Sequence, residues 1–166
     1  MIKKKVCMLG KSGVGKTSMV ARFVFSSFSE KYLTTVGVKL DKKTVQVNDD
    51  SVEMTIWDLA GDDKFQRLET SYLRGTSGYL LVADGTRQVT LDDAIELQGR
   101  VAAAIGPAPF LVALNKADLT EQWEIDDARM ADLQARGWKT YKTSAKDGAA
   151  VEEIFAELAR LMTQPK

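Results

Sequence analysis

The 166-residue chain has no histidine, one cysteine, three prolines and no excess of either charge. Lysine plus arginine and aspartate plus glutamate each number 23, so the chain lacks the basic field that draws proteins to nucleic acid or anionic membranes. No nucleic-acid partner is expected. The single Cys7 excludes an internal disulfide, and between Val6 and Met8 it reads as a small buried hydrophobe in a reducing, cytoplasmic setting. No apolar run approaches the roughly 18 residues that cross a bilayer. Met1-Ile2 followed by Lys3-Lys4-Lys5 also lacks the apolar region of a signal peptide. Gly does not follow Met1, and Met162-Thr163-Gln164-Pro165-Lys166 carries no cysteine, so no lipid anchor is expected. Without repeats, linker-like tracts or low-complexity segments, residues 1–166 read as one domain, and a monomer is expected.

With 45% apolar residues the chain can bury a core. The runs Val6-Cys7-Met8-Leu9, Gly78 to Ala83 and Phe110 to Leu114 are short and continuous, as parallel strands covered on both faces are. Between them, Leu91, Ala94, Ile95, Gln98, Val101, Ala102 and Ile105 keep helical spacing, as do Val151, Ile154, Phe155, Leu158 and Leu161. Residues 38–47 and 51–58 read as a hairpin turning at Asn48-Asp49-Asp50. A last strand is expected around Trp138 to Lys142, after a less regular helix over 125–136. The order β-α-β-β-α-β-α-β-α-β-α predicts an α/β fold with a six-stranded, mixed but mostly parallel sheet and helices on both faces. Ligand chemistry then belongs at the carboxyl ends of the parallel strands.

The first such end carries Gly10-Lys11-Ser12-Gly13-Val14-Gly15-Lys16-Thr17, a complete G-x-x-x-x-G-K-T between a strand and a helix. Glycines let the backbone wrap a polyphosphate, Lys16 reaches the terminal phosphates and the Thr17 hydroxyl ligates Mg2+. The phosphate-binding set is Ser12, Gly13, Val14, Gly15, Lys16, Thr17 and Ser18. Asn115-Lys116-Ala117-Asp118 follows the strand ending at Leu114. A carboxylate at Asp118 accepts from both N1-H and the exocyclic amine of guanine, a donor pair that adenine lacks. Thr143-Ser144-Ala145-Lys146 presents backbone N-H and the Lys146 stem toward the same base. Asp58-Leu59-Ala60-Gly61, at the end of the second hairpin strand, offers a Mg2+-holding carboxylate and a Gly61 N-H for the γ-phosphate.

The order of these elements, over essentially the whole chain, resembles the Ras superfamily of small GTPases, whose fold is the P-loop NTPase G domain. Tyr32-Leu33-Thr34-Thr35-Val36-Gly37-Val38 and Tyr72-Leu73-Arg74-Gly75 with Gly78-Tyr79 are similar to segments of its Rab-like branch. The resemblance implies a GTP/GDP switch with Mg2+ held by Thr17, Thr35 and Asp58. It also implies a catalytic group of Lys16, Thr35, Gly61 and the residue at 62. Phe28 is then a base-stacking residue, or a plain core aromatic. Effector, exchange factor and activating protein would meet two switch regions, about 28–40 and 58–75. The family's interswitch effector patch falls on Val36, Leu40, Trp57 and Tyr72, with Trp57 equally readable as core.

The sequence departs from the family after Gly61, where Asp62-Asp63 stands in place of the usual water-orienting Gln. A carboxylate cannot donate to phosphoryl oxygens and adds like charge beside the γ-phosphate, so slow intrinsic hydrolysis is expected. Asp62 reads alternatively as a proton acceptor, as a helix cap, or as a gap that a partner fills in trans. At the extreme, the protein is a GTP-bound scaffold that hardly turns over. Lys11 reads as a solvated loop residue and Lys3-Lys4-Lys5 as a solvated strand edge. Without a C-terminal cysteine, the chain resembles soluble bacterial members of the Rab-like branch, unless it continues beyond residue 166.

Overall fold

The computed structural model describes residues 1–11, 13–25, 38–59 and 70–164. The strands are β1 (Ile2–Leu9), β2 (Val38–Val47), β3 (Asp50–Leu59), β4 (Gly78–Asp84), β5 (Phe110–Asn115) and β6 (Thr140–Lys142). The helices are α1 (Lys16–Phe25), the short α2 (Thr70–Leu73), α3 (Gln88–Ile105), α4 (Asp127–Ala135) and α5 (Val151–Met162), with a 3-10 turn at Thr120–Gln122. One six-stranded sheet runs in the order β2-β3-β1-β4-β5-β6. Among the described residues only the β2–β3 pair is antiparallel, and every other strand pairing is parallel.

The edge hairpin follows its turn residues. Val47 pairs with Asp50, so Asn48-Asp49 forms a two-residue loop, and Asn48 takes φ 54°. Along the parallel strands, alternate side chains point to opposite faces and feed two cores. Val6, Met8, Leu80 and Val82 pack beneath α1 and α5, where Phe23 stacks on Phe155 with ring centroids 4.0 Å apart. Cys7, Leu9, Leu81 and Ala83 join Leu91, Leu97 and Val101 of α3 and Leu133 of α4 on the other face. Every residue of β4 is buried, as a strand covered on both sides must be. Helix α3 turns Leu97 inward, whereas Gln98, which shares the expected stripe, reaches the Tyr79 hydroxyl at 3.5 Å.

Two readings change. Strand β1 starts at Ile2, with the lysines at its start as expected, and its first half pairs with β3 along Ile2↔Val52 to Lys5↔Thr55. The solvated edge expected for the lysines holds for exposed Lys3 but fails for Lys5. The Lys5 ammonium donates to the carbonyls of Tyr72 at 2.6 Å and Arg74 at 2.8 Å, and sits 3.6 Å above the Trp57 ring. Burial pulls the Lys5 pKa down, with the Cys7 thiol opposing it. Strand β6 is also shorter than expected, since Trp138 turns out of it to meet Phe110 edge-on at 5.2 Å. Cys7 is fully buried as expected, and burial pushes its thiol up.

Candidate nucleotide site

Parallel strands in register end at one level, and the sequence loads those ends with polar residues. Met8 pairs with Asp58, and Asp84 pairs with Asn115, so the ends of β1, β3, β4 and β5 converge. The glycine-rich loop leaves β1 and enters α1 at Lys16. There the buried Lys16 ammonium donates to the Gly10 carbonyl at 2.7 Å. Gly13 is exposed at the rim, Val14 is buried and Ser18 is half-buried. The Val14 carbonyl accepts from Asn115 Nδ2 at 2.9 Å, across 101 residues. Gly15 is required at this crossing: its φ is +99°, and a Cβ there would lie 2.2 Å from Asn115 Nδ2.

Beside the loop, Thr17 Oγ1 donates to Asp58 Oδ2 at 2.6 Å. Asp58 is fully buried, and its Oδ1 has no hydrogen-bond partner among the described residues. An orphaned carboxylate oxygen in the interior is costly, and a hard cation or its water shell would satisfy it. Among the described residues no group of three or more acidic, cysteine or histidine side chains could hold a metal. The described donors are one carboxylate and one hydroxyl, which suit Mg2+, an ion commonly held by a carboxylate and the substrate's own phosphates.

At the far end, Ser144 is buried and its hydroxyl donates to Asp118 Oδ1 at 2.8 Å. Ala145 is buried, while Lys146 is exposed. Lys116 takes φ 69° and pairs with Asp84 Oδ2 at 2.8 Å. Asp84 also accepts from the Thr86 N-H at 2.9 Å and hydroxyl at 2.6 Å, and from Arg87 Nε at 3.2 Å. Burial pushes the Asp84 carboxyl up, but hydrogen bonds from Lys116 and Thr86 outweigh it and hold it below its ordinary value. Asp84 went unnoticed in the sequence, although a carboxylate closing the apolar run of β4 was its signal. The expected solvated Lys11 is half-exposed and pairs with Asp93 at 3.4 Å.

Ser12, Phe28, Thr35, Gly61 and Asp62 lie outside the described residues, as does Val36 of the expected effector patch. Of that patch, Leu40 is 54% exposed on the β2 edge, and Trp57 is half-buried under Lys5. Tyr72 is drawn into the core, with 6% of its surface exposed. Its hydroxyl donates to the Trp57 carbonyl at 2.8 Å.

Two outcomes are expected. Gly15→Ala drives a methyl into Asn115 and strains the backbone, costing about 2 kcal/mol in a denaturant melt and at least about tenfold in nucleotide affinity by fluorescence titration. Asp84→Asn removes the anchor of Lys116 and costs about 2 kcal/mol at pH 7, the partial exposure of Lys116 limiting the loss. The native carboxyl is depressed, so its contribution is present above the ordinary value of 3.8 and lost as pH falls through the folded one. Melts of wild type and Asp84→Asn should therefore converge in acid.

The sequence profile of the Ras family matches residues 5–164. The chain is 34% identical to the Ras-related protein SEC4 of Saccharomyces cerevisiae over 161 residues, 96% of this chain and 75% of that protein. It is 36% identical to the Ras-related protein Rab-7a of Dictyostelium discoideum over 163 residues, 94% of this chain and 80% of that one. Against the Ras-related protein Rab-22A of Mus musculus the identity is 35% over 159 residues, 94% of this chain and 81% of the relative. With a glycine-rich loop, the Asn115-Lys116-Ala117-Asp118 loop and a buried carboxylate at the strand ends, in a chain that the family profile spans almost throughout, this protein is a member of the Ras family and a Rab-like small GTPase.

Proposed function

We propose that the protein is a GTP/GDP switch whose single domain spans residues 1–166 and whose own hydrolysis is slow. The observation that carries the reading is the pairing of Thr17 with buried Asp58 and its unpartnered Oδ1, beside the Lys16 ammonium. Bound Mg2+ would supply charge neutralisation at the phosphates. Thr17, Asp58 and Thr35 would hold it, and Ser12, Gly13, Val14, Gly15, Lys16, Thr17 and Ser18 would cradle the phosphates. Thr35 and Gly61 sense the γ-phosphate. Asn115, Lys116, Asp118, Ser144, Ala145 and Lys146 form the base site, with Phe28 stacked on the base. Asp118 accepts from two guanine donors, and the Ser144 hydroxyl on its Oδ1 keeps the carboxylate aimed.

Slow turnover follows from Asp62. In the place of Gln it cannot donate to phosphoryl oxygens, and its charge opposes that of the γ-phosphate. Effector, exchange factor and activating protein meet residues 28–40 and 58–75. No helix of the described residues is long and apolar enough to cross a membrane. The protein is read as cytoplasmic and monomeric, with no nucleic-acid partner.

The test is single turnover. Protein loaded with GTP and Mg2+ against excess ATP is freed of unbound nucleotide, and the bound species is followed by chromatography. GTP should be retained over ATP and decay to GDP over hours, with Asp62→Gln hydrolysing at least about tenfold faster. An unaccelerated Asp62→Gln sinks the account of Asp62, and GTP that never decays marks a GTP-bound scaffold. Asp118→Asn should move preference from guanine toward xanthine, whose extra carbonyl accepts from an amide. Unchanged GTP selectivity in that variant would overturn the base assignment.

A further inference from the structure

Arg22 belongs to none of the family's nucleotide motifs carried over above, yet it joins two parts of the site. It lies in the last turn of α1, half-buried. Its guanidinium donates from Nη1 to the Lys146 carbonyl at 3.3 Å and from Nη2 to the Asp147 carbonyl at 3.2 Å, more than 120 residues along the chain. Gly148, at φ +85°, makes room for it: a Cβ there would lie 2.7 Å from Nη2 and 2.9 Å from Nε. The fork of Arg22 is thus packed against a bare stretch of backbone, a fit that the point charge of a lysine cannot reproduce.

The turn that Arg22 grips is closed on itself. The Ser144 N-H donates to the Ala149 carbonyl at 3.0 Å, the Gly148 N-H to the Ser144 carbonyl at 2.8 Å, and the Ala149 N-H to Asp147 Oδ1 at 2.9 Å. Those bonds set the shape of the turn without fixing where it sits relative to α1. The Asp147 N-H also donates to Ser144 Oγ at 3.2 Å, and that hydroxyl donates onward to Asp118 Oδ1 at 2.8 Å. The connection therefore runs from Arg22 to the 146–147 carbonyls, through the turn to Ser144 Oγ, and ends on the carboxylate that faces the base.

We propose that Arg22 is a positioning residue for guanine recognition, holding the 144–149 turn so that Ser144 keeps Asp118 aimed at the two guanine donors. The inference rests on the reading of Asp118 given above. An arginine that merely stabilised the C-terminus of α1 through the helix dipole would raise stability without affecting which base is chosen. An arginine that aims Asp118 changes base discrimination.

The experiment measures GDP and inosine diphosphate dissociation from the wild-type chain, Arg22→Ala, Arg22→Lys and Gly148→Ala. Inosine diphosphate lacks the exocyclic amine and so forfeits one of the two bonds to Asp118. Arg22→Ala should release GDP about tenfold faster and lower the preference for GDP over inosine diphosphate by about threefold or more. Arg22→Lys should recover part of that preference. Gly148→Ala, which displaces the guanidinium while leaving Arg22 in place, should reproduce the loss and serves if Arg22→Ala does not fold. A wild-type preference for GDP that persists unchanged in the folded variants overturns the role of Arg22 alone. A wild type with no preference for GDP over inosine diphosphate overturns the reading of Asp118, and the inference with it.

Discussion

Asn115 donates from Nδ2 to the Val14 carbonyl at 2.9 Å, and its Oδ1 accepts from the Thr143 hydroxyl at 3.2 Å. One buried amide thereby ties the loops after β1, β5 and β6 to one another. Both halves of the amide are occupied in the interior, where an unmade bond is costly, so the spacing between the proposed phosphate and base loops has little latitude. The contact depends in turn on Gly15, which alone lets the glycine-rich loop pass so close to the amide. Two loops far apart in sequence are in this way held as one rigid cradle, the pre-organisation that a nucleotide site needs.

Electrostatics elsewhere in the site follow from where the strands stop. Asp84 ends the buried strand β4 and Asp58 stands one residue before the end of β3, but their surroundings differ. Asp84 collects Lys116, Thr86 and Arg87, so its charge is compensated by the protein itself. Asp58 receives Thr17 on one oxygen and nothing described on the other. The first carboxylate holds Lys116; the second keeps one oxygen without a described partner. That asymmetry is what distinguishes the surroundings of the two carboxylates, more than residue type or burial does.

The Lys5 contacts illustrate how a polar side chain becomes part of the frame. Its ammonium satisfies two carbonyls at the end of α2 and lies over Trp57, while the Tyr72 hydroxyl bonds the Trp57 carbonyl. Lys5, Trp57 and Tyr72 form one packed unit between β1, β3 and α2. An aromatic patch read from the sequence as a binding surface is partly interior, and Leu40 on the open β2 edge is its most exposed described member.

Motifs whose members lie within eight residues were legible from the chain alone. The G-x-x-x-x-G-K-T string, N-K-x-D and the hairpin at Asn48-Asp49 depend on local backbone geometry, which short spacing dictates. The alternation of apolar runs with helical stripes likewise determined the α/β class and the element order, since period 2 and period 3.6 cannot be exchanged. What tertiary structure alone decided are the pairings across the fold: Lys116 with Asp84, Asn115 with Val14, Arg22 with the Lys146 and Asp147 carbonyls, Lys5 with Tyr72. These partners stand 32 to 125 residues apart, and their meeting follows from the order and register in which the strands are laid side by side. No local spacing encodes that order, because it is set by which faces can be buried together once the whole sheet has formed.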